Sequence, residues 1–187
     1  MIDAVKKAQL AVNAVRALGV GAAIVGGYAR DTIYGRPVKD VDVLVEVSGV
    51  QEMLDVLLDI RYLLDANLVE TGGTGYRDSQ KRSDGSTVHG VYKATTSVFG
   101  YPVDVIFTDD IEQFIEGFPD DLSKVVFDGT SADPRPESLA DYIAQRITYY
   151  REEWETQDRQ RRLREKYPGF TFVYKPRLTT SGDDLDA

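Results

Sequence analysis

Cysteine is missing altogether from the 187 residues, so neither a disulfide framework nor a thiolate metal site can exist. Histidine occurs once, as His89, which excludes a multi-histidine zinc centre and argues against Ser-His-Asp chemistry. It stands beside Gly90 at the start of an expected strand and is given no role. No apolar run approaches the ~20 residues of a membrane-spanning helix. The first residues are charged and helical in pattern, unlike a signal peptide. No membrane partner and a cytoplasmic setting are therefore expected. Base is in short supply: 22 Lys and Arg face 31 Asp and Glu, a net charge of −9. A protein that grips a long stretch of nucleic acid usually shows the opposite balance on one face. With 42% apolar residues, the composition is that of a globular domain with room for a small appendage.

Charge is unevenly spread. From Asp104 to Asp141 eleven acids face only Lys124 and Arg135. From Arg159 to Lys166 the balance inverts, with Arg159, Arg161, Arg162, Arg164 and Lys166 against Glu165. Arg77, Lys81 and Arg82 form a second basic group. Either patch is a solvated face or a guide for an anionic partner.

The densest chemistry lies between Val25 and Val43. Val41-Asp42-Val43-Leu44-Val45 is β-branched and apolar, the pattern of a buried strand. Alternate side chains of a strand share a face, which puts Asp40 and Asp42 side by side, about 6–7 Å apart at Cα. Two such charges repel and are costly to bury without a cation. Magnesium suits them: a hard ion held by a few carboxylates, with phosphate oxygens and water filling its other positions. Upstream, Ala22-Ala23-Ile24-Val25 reads as a strand that Gly26-Gly27 ends abruptly, followed by a short helix from Tyr28 to Tyr34 before Gly35. Strand, two glycines and a helix start let backbone N–H groups approach a phosphate, with the helix's positive end aimed at it. Twelve residues (28 to 39) separate the glycines from Asp40, enough for one short helix and a return to the sheet.

Gly26-Gly27, Arg30-Asp31, Gly35-Arg36 and Asp40-Val41-Asp42 together resemble the signature of the DNA polymerase β-like nucleotidyltransferase superfamily. They are closest to the head domain of the tRNA CCA-adding enzyme and bacterial poly(A) polymerase family. The close match covers residues 25–43, and a looser one runs to about residue 110. The resemblance implies a third carboxylate on a neighbouring strand. Asp104 fits, as the lone charge within Tyr101-Pro102-Val103-Asp104-Val105-Ile106-Phe107, where an unpaired acid is expensive. It further implies in-line attack of an acceptor hydroxyl on the α-phosphate of an NTP, ATP or CTP, with pyrophosphate leaving. Asp40, Asp42 and Asp104 would hold two Mg2+ ions. Gly26 and Gly27 would admit the β- and γ-phosphates. Arg30 and Lys39 would contact phosphate, and Asp31 would orient Arg30. The acceptor implied is an RNA, tRNA-like 3′ end. The acidic charge keeps open transfer to a protein or small molecule, and a non-catalytic nucleotide-binding module is the third reading. Two departures bear on the acceptor. There is no room for the family's helical neck, body and tail domains, and its Arg-Arg-Asp segment has no counterpart in Asp121-Leu122-Ser123-Lys124-Val125-Val126-Phe127-Asp128. Compact proteins encoded by bacteriophages are the kind the chain resembles.

The expected fold is α+β (α/β): a small mixed, twisted sheet with helices packed on it, and a long C-terminal helix. Residues 1–135 are expected to form the catalytic domain, 136–180 a helical extension packed on it, and 181–187 a disordered acidic tail. A helix is expected over 2–18, strands near 21–25 and 40–47, and a helix over 49–64 opened by a Ser48–Gln51 capping box. Its stripe of Met53, Leu54, Leu57, Leu58, Tyr62 and Leu63 is assigned to the core. A strand near 67–71, a polar loop over 72–88 and a hairpin of 91–98 with 101–107 follow, then a helix capped by Asp109 with Glu112. Glu137 to Lys166 is read as one helix, with Leu139, Ile143, Ile147, Tyr150 and Trp154 on one face. Pro168-Gly169 stops it, and a short strand over 170–174 ends the series.

Overall fold

The computed structural model describes residues 4–63, 69–70, 80–82, 85–95, 101–150 and 154–176. The expected acidic tail, most of the 72–88 loop and the Phe99-Gly100 turn lie outside them. Helix α1 (Ala4–Arg16) leads into strand β1 (Gly21–Val25), α2 (Gly26–Ile33), β2 (Val41–Glu46) and α3 (Val50–Leu63). Strands β3 (Val69–Glu70), β4 (Gln80–Lys81), β5 (Thr87–Thr95) and β6 (Pro102–Thr108) follow. Next come α4 (Ile111–Glu116), a 3-10 turn (Asp121–Ser123), β7 (Val125–Phe127) and β8 (Ala132–Pro134). The last described elements are α5 (Pro136–Ile143), β9 (Arg146–Tyr149), α6 (Trp154–Lys166) and β10 (Thr171–Tyr174).

The main sheet runs β3-β5-β6-β2-β1-β7-β8, with β4 on the far part of β5. β2 and β6 are parallel, and the other pairings in it are antiparallel. The sheet is mixed and the fold α+β. Strand alternation sends Val41, Val43 and Val45 into the larger core, with Val103, Val105 and Phe107 of β6 and Ala8, Val12 and Val15 of α1. Leu44 of β2, with Ala23 and Val25 of β1, enters a smaller cluster with Phe114 and Ile115 of α4. α4 has only six residues, about 9 Å of helix. It packs on Leu44, two residues along the same strand from Asp42.

Several expectations need correcting. Among the described residues, 137–166 are not one long helix but two short ones, α5 and α6, with β9 between them. α5 ends at Ile143, Gln145 takes a left-handed conformation (φ +49°), and Arg146-Ile147-Thr148-Tyr149 forms β9, parallel to β10. Asp141 fixes the corner. Its buried carboxylate accepts from Thr148 N at 2.6 Å, Thr148 Oγ1 at 3.0 Å and Arg146 Nε at 2.7 Å. The β-branched and aromatic run wins over the helical spacing, because Ile147 is buried as a strand residue while Leu139 and Ile143 stay exposed. The α3 stripe also divides: Met53 is buried and Leu57 packs against the core, whereas Leu54, Leu58, Tyr62 and Leu63 face outward. The group reaching back to Ser48 is Glu52, which accepts from Ser48 N at 2.7 Å and Oγ at 2.8 Å. Gln51 binds Asp55 instead, since α3 starts one residue later than expected. At α4 the cap is Asp110, accepting from Gln113 N at 2.9 Å, while Asp109 accepts from Thr87 N. His89 is buried within β5.

Candidate active site

One row of residues crosses the sheet. Lys93 on β5 stands opposite Asp104 on β6, which stands opposite Asp42 on β2, itself opposite Val25 on β1. The parallel β2–β6 pairing brings the two carboxylates together, since a parallel register sets like positions of two strands alongside each other. Asp40 precedes β2 by one residue. Gly26, next after Val25, has φ +64°, and a Cβ there would lie 3.0 Å from Asp42 Oδ2. A Cβ on Gly27 would lie 3.6 Å from Asp40 Oδ1. The diglycine thus brings bare backbone against both acids, and a side chain at Gly26 would be strained by its positive φ and would crowd the Asp42 carboxylate. α2 begins at Gly26, two residues earlier than the sequence suggests, so its N-terminal N–H groups lie beside the acids.

The three carboxylates feel one another. Burial, then Asp40 and Asp104, push the Asp42 carboxyl up to about 7, against the opposing pull of Arg159 and Arg30. Burial also raises Asp104, with a further push from Asp40, while Lys93 holds it back. Lys93 Nζ lies 3.6 Å from Asp104 Oδ2. Among the described residues no three acids or histidines already stand as a cation cage; Asp104 is engaged by Lys93. The donor set still suits a hard divalent cation. It is all carboxylate oxygen, and the burial and like charges that raise the Asp42 carboxyl are what a divalent cation would offset.

Beside the acids opens a cavity of about 230 Å3, lined by Gly27, Arg30, Lys39, Asp40 and Asp42 and by Arg159, Arg162, Leu163 and Lys166 of α6. Five of the eight residues singled out by sequence line it. Gly26 touches Asp42 from behind, Asp104 lies one strand over, and Asp31 is buried beneath. Asp31 is fully enclosed. It accepts from Arg30 Nε at 2.7 Å, Tyr167 Oη at 2.9 Å and Lys166 Nζ. It orients Arg30, as the sequence suggests, and also ties the end of α6 to α2. Arg30 is buried too, its Nη1 donating to Ser123 Oγ at 2.9 Å and its guanidinium lying 5.5 Å from the Tyr167 ring. Burial disfavours its charge, but Asp31 outweighs that and raises it above its usual value.

Sequence reasoning missed the α6 wall, reading the basic run as a solvated face or a guide. Arg161 is exposed and pairs with Asp158 at 2.6 Å, as such a face would. Arg159, Arg162 and Lys166 instead turn into the cavity, and with Leu163 they fall at i, i+3, i+4 and i+7, the one-face spacing that could have found them. Arg159 is anchored by Asp120, Nε to Oδ2 at 2.7 Å, and by Ser123 Oγ at 2.9 Å. Burial pushes Asp120 up, but Arg159 and Arg30 outweigh it and hold the carboxyl below its usual range.

No family model and no curated protein matches the sequence. Solved structures do match. The Bacillus stearothermophilus CCA-adding enzyme in complex with CTP is 17% identical with a TM-score of 0.57, over 92% of this chain and 42% of that one. A CCA-adding enzyme with ATP is 13% identical with a TM-score of 0.58, over 88% and 37%. The Thermotoga maritima CCA-adding enzyme complexed with tRNA is 15% identical with a TM-score of 0.53, over 84% and 35%. The chain thus spans about two fifths of the length of these proteins, and over that span it has the nucleotidyltransferase fold they share.

Proposed function

We propose that the chain is a magnesium-dependent nucleotidyltransferase that moves an NMP from an NTP to an acceptor hydroxyl and releases pyrophosphate. The observation that carries this reading is the side-by-side register of Asp42 and Asp104, with Asp40 adjoining, at the mouth of a cation-lined cavity. A cavity with two acids and five bases suits a polyphosphate bound together with a divalent cation. Acids alone would suit a bare cation, and bases alone a free anion.

Each group has a role in that reading. Asp40 and Asp42 would hold Mg2+, with Asp104 completing the set on the acceptor side. Bound magnesium would supply charge neutralisation at the attacking and leaving oxygens. The backbone at Gly26 and Gly27 would take the β- and γ-phosphates. Lys39, Arg30, Arg162 and Lys166 would surround the charge that grows on the leaving pyrophosphate. Asp104, raised by burial, would assist removal of the acceptor's proton. Chemistry of this kind is mostly positioning and electrostatics. ATP and CTP are the nucleotides expected, as in the CTP- and ATP-bound neighbours. The acceptor proposed is an RNA 3′ end.

A second reading, nucleotidylation of a protein or small molecule, is favoured by the net charge of −9. Incubation with Mg2+, each labelled NTP and a cell extract separates the two. Label on small RNA supports the first, label on protein or metabolite the second. No label from any NTP sinks both and leaves a nucleotide-binding module.

A further inference from the structure

Away from the cavity, α3 carries an outer face that nothing among the described residues covers. Met53 and Ile60 are buried, and Val56 and Leu57 pack against the core. That leaves Leu54, Leu58 and Tyr62, at i, i+4 and i+8, facing out at 47%, 67% and 87% exposure. Scattered exposed leucines are ordinary; three large apolar groups in line on one helix mark a contact surface. α1 packs beside α3, and its outer side shows Lys6, Arg16 and Leu10, the last 56% exposed. The two helices are oppositely charged. α1 carries Lys6, Lys7 and Arg16 and no acid, whereas α3 carries Glu52, Asp55 and Asp59 against Arg61.

We propose that this face is a homodimer interface, with α1 of one copy seated on α3 of the other across a two-fold axis passing between the helices. A two-fold interface presents one patch to itself, so the patch must be self-complementary. A basic helix bearing one leucine beside an acidic helix bearing a Leu-Leu-Tyr stripe meets that condition. Leu10 of each copy meets the stripe of the other, and Lys6 and Lys7 meet Asp55 and Asp59. The helices have 13 and 14 residues, so each is about 20 Å long and the pair offers a footprint of roughly 20 Å by 20 Å. That is roughly 400 Å2 on each copy, below the ~800 Å2 a side of a standard stable interface, so the dimer is of the weak, reversible kind. None of these residues lines the cavity, and dimerisation does not depend on the proposed chemistry.

Sedimentation of the full chain over a concentration series tests this. The expected result is a species of twice 20.8 kDa at tens of micromolar, dissociating on dilution. Leu58→Glu is expected to weaken association at least ~10-fold with an unchanged circular dichroism spectrum. If that variant fails to fold, charge reversal decides, since none of the four charged groups is buried. A Lys6→Glu/Lys7→Glu chain mixed with an Asp55→Lys/Asp59→Lys chain should pair in preference to either alone. A chain monomeric at every concentration overturns the proposal, and means that another partner or none covers the stripe. A dimer untouched by Leu58→Glu, or reversed chains that do not recombine, overturns it equally.

Discussion

The two walls of the cavity are built by opposite means. Its acids stand on strands whose neighbours, Val41, Val43, Val103 and Val105, are all buried, so packing of the sheet fixes where Asp42 and Asp104 sit. Three of its five bases stand on α6, a helix with a polar run and few apolar anchors, chiefly Leu163 and, just past its end, Tyr167. The α6 wall is held by ion pairs to buried acids, Arg159 to Asp120 and Lys166 to Asp31. A hydrophobic scaffold gives precise placement, at the electrostatic cost that the raised Asp42 carboxyl records. An ion-paired one places charge where phosphate would need it, and comes apart when one partner is removed.

The largest effect should come from the acid wall. Asp42→Asn is expected to reduce nucleotide transfer by roughly 10^3-fold or more, read as labelled product, and also to stabilise the protein. The Asp42 carboxyl lies at about 7 when folded, above its ordinary value of 3.8. The folded state therefore holds this proton more tightly. The stabilisation it gives is full below the unfolded value and is lost as pH rises from about 4 through about 7. At pH 8 without divalent cation, Asp42→Asn should melt a few degrees above the parent chain, and the gap should close by pH 4. An inactive variant that is less stable at pH 8 would break the account of this wall.

On the other wall the ion-pair hub is the sharpest target. Asp31→Ala strands Arg30 and Lys166 beside Tyr167 and should cost about 3–5 kcal/mol in denaturant unfolding. A loss under about 1 kcal/mol would show that packing, rather than charge, holds α6. Arg162→Ala touches the same wall where it is half exposed, 3.4 Å from Asp158. Nucleotide binding should weaken about tenfold, with the melting temperature little changed. Equal nucleotide affinity in titration would remove α6 from the phosphate site. The smallest expected effect belongs to Lys93→Gln. Lys93 holds the Asp104 carboxyl down, so its loss should raise it further and move the acid limb of the pH–rate profile to higher pH. A shift the other way would contradict Asp104 as the proton acceptor.

Legibility in the sequence followed the same division. Asp40, Asp42, Asp104 and the diglycine could be picked out because alternation in an apolar strand makes a charge conspicuous, and the structure sets the Asp42 and Asp104 positions in register. The C-terminal third was misread where two patterns compete. Leu139, Ile143 and Ile147 keep helical spacing, yet Gln145 and the Asp141 corner turn the chain into β9. The α3 stripe was misread because periodicity says that residues share a face but not whether another element covers it.

The sequence alone determined the helices α1 and α3, the strands β1, β2 and β6, and that Asp42 and Asp104 each stand as a charge within an apolar strand, since each follows from spacing along a few consecutive residues. Tertiary structure decided what those charges meet. Pairing β2 with β6, more than fifty residues apart, and folding α6 back over α2 depend on long-range burial and ion pairing. No local pattern encodes that, so acids and bases far apart in the chain became one cavity only on folding.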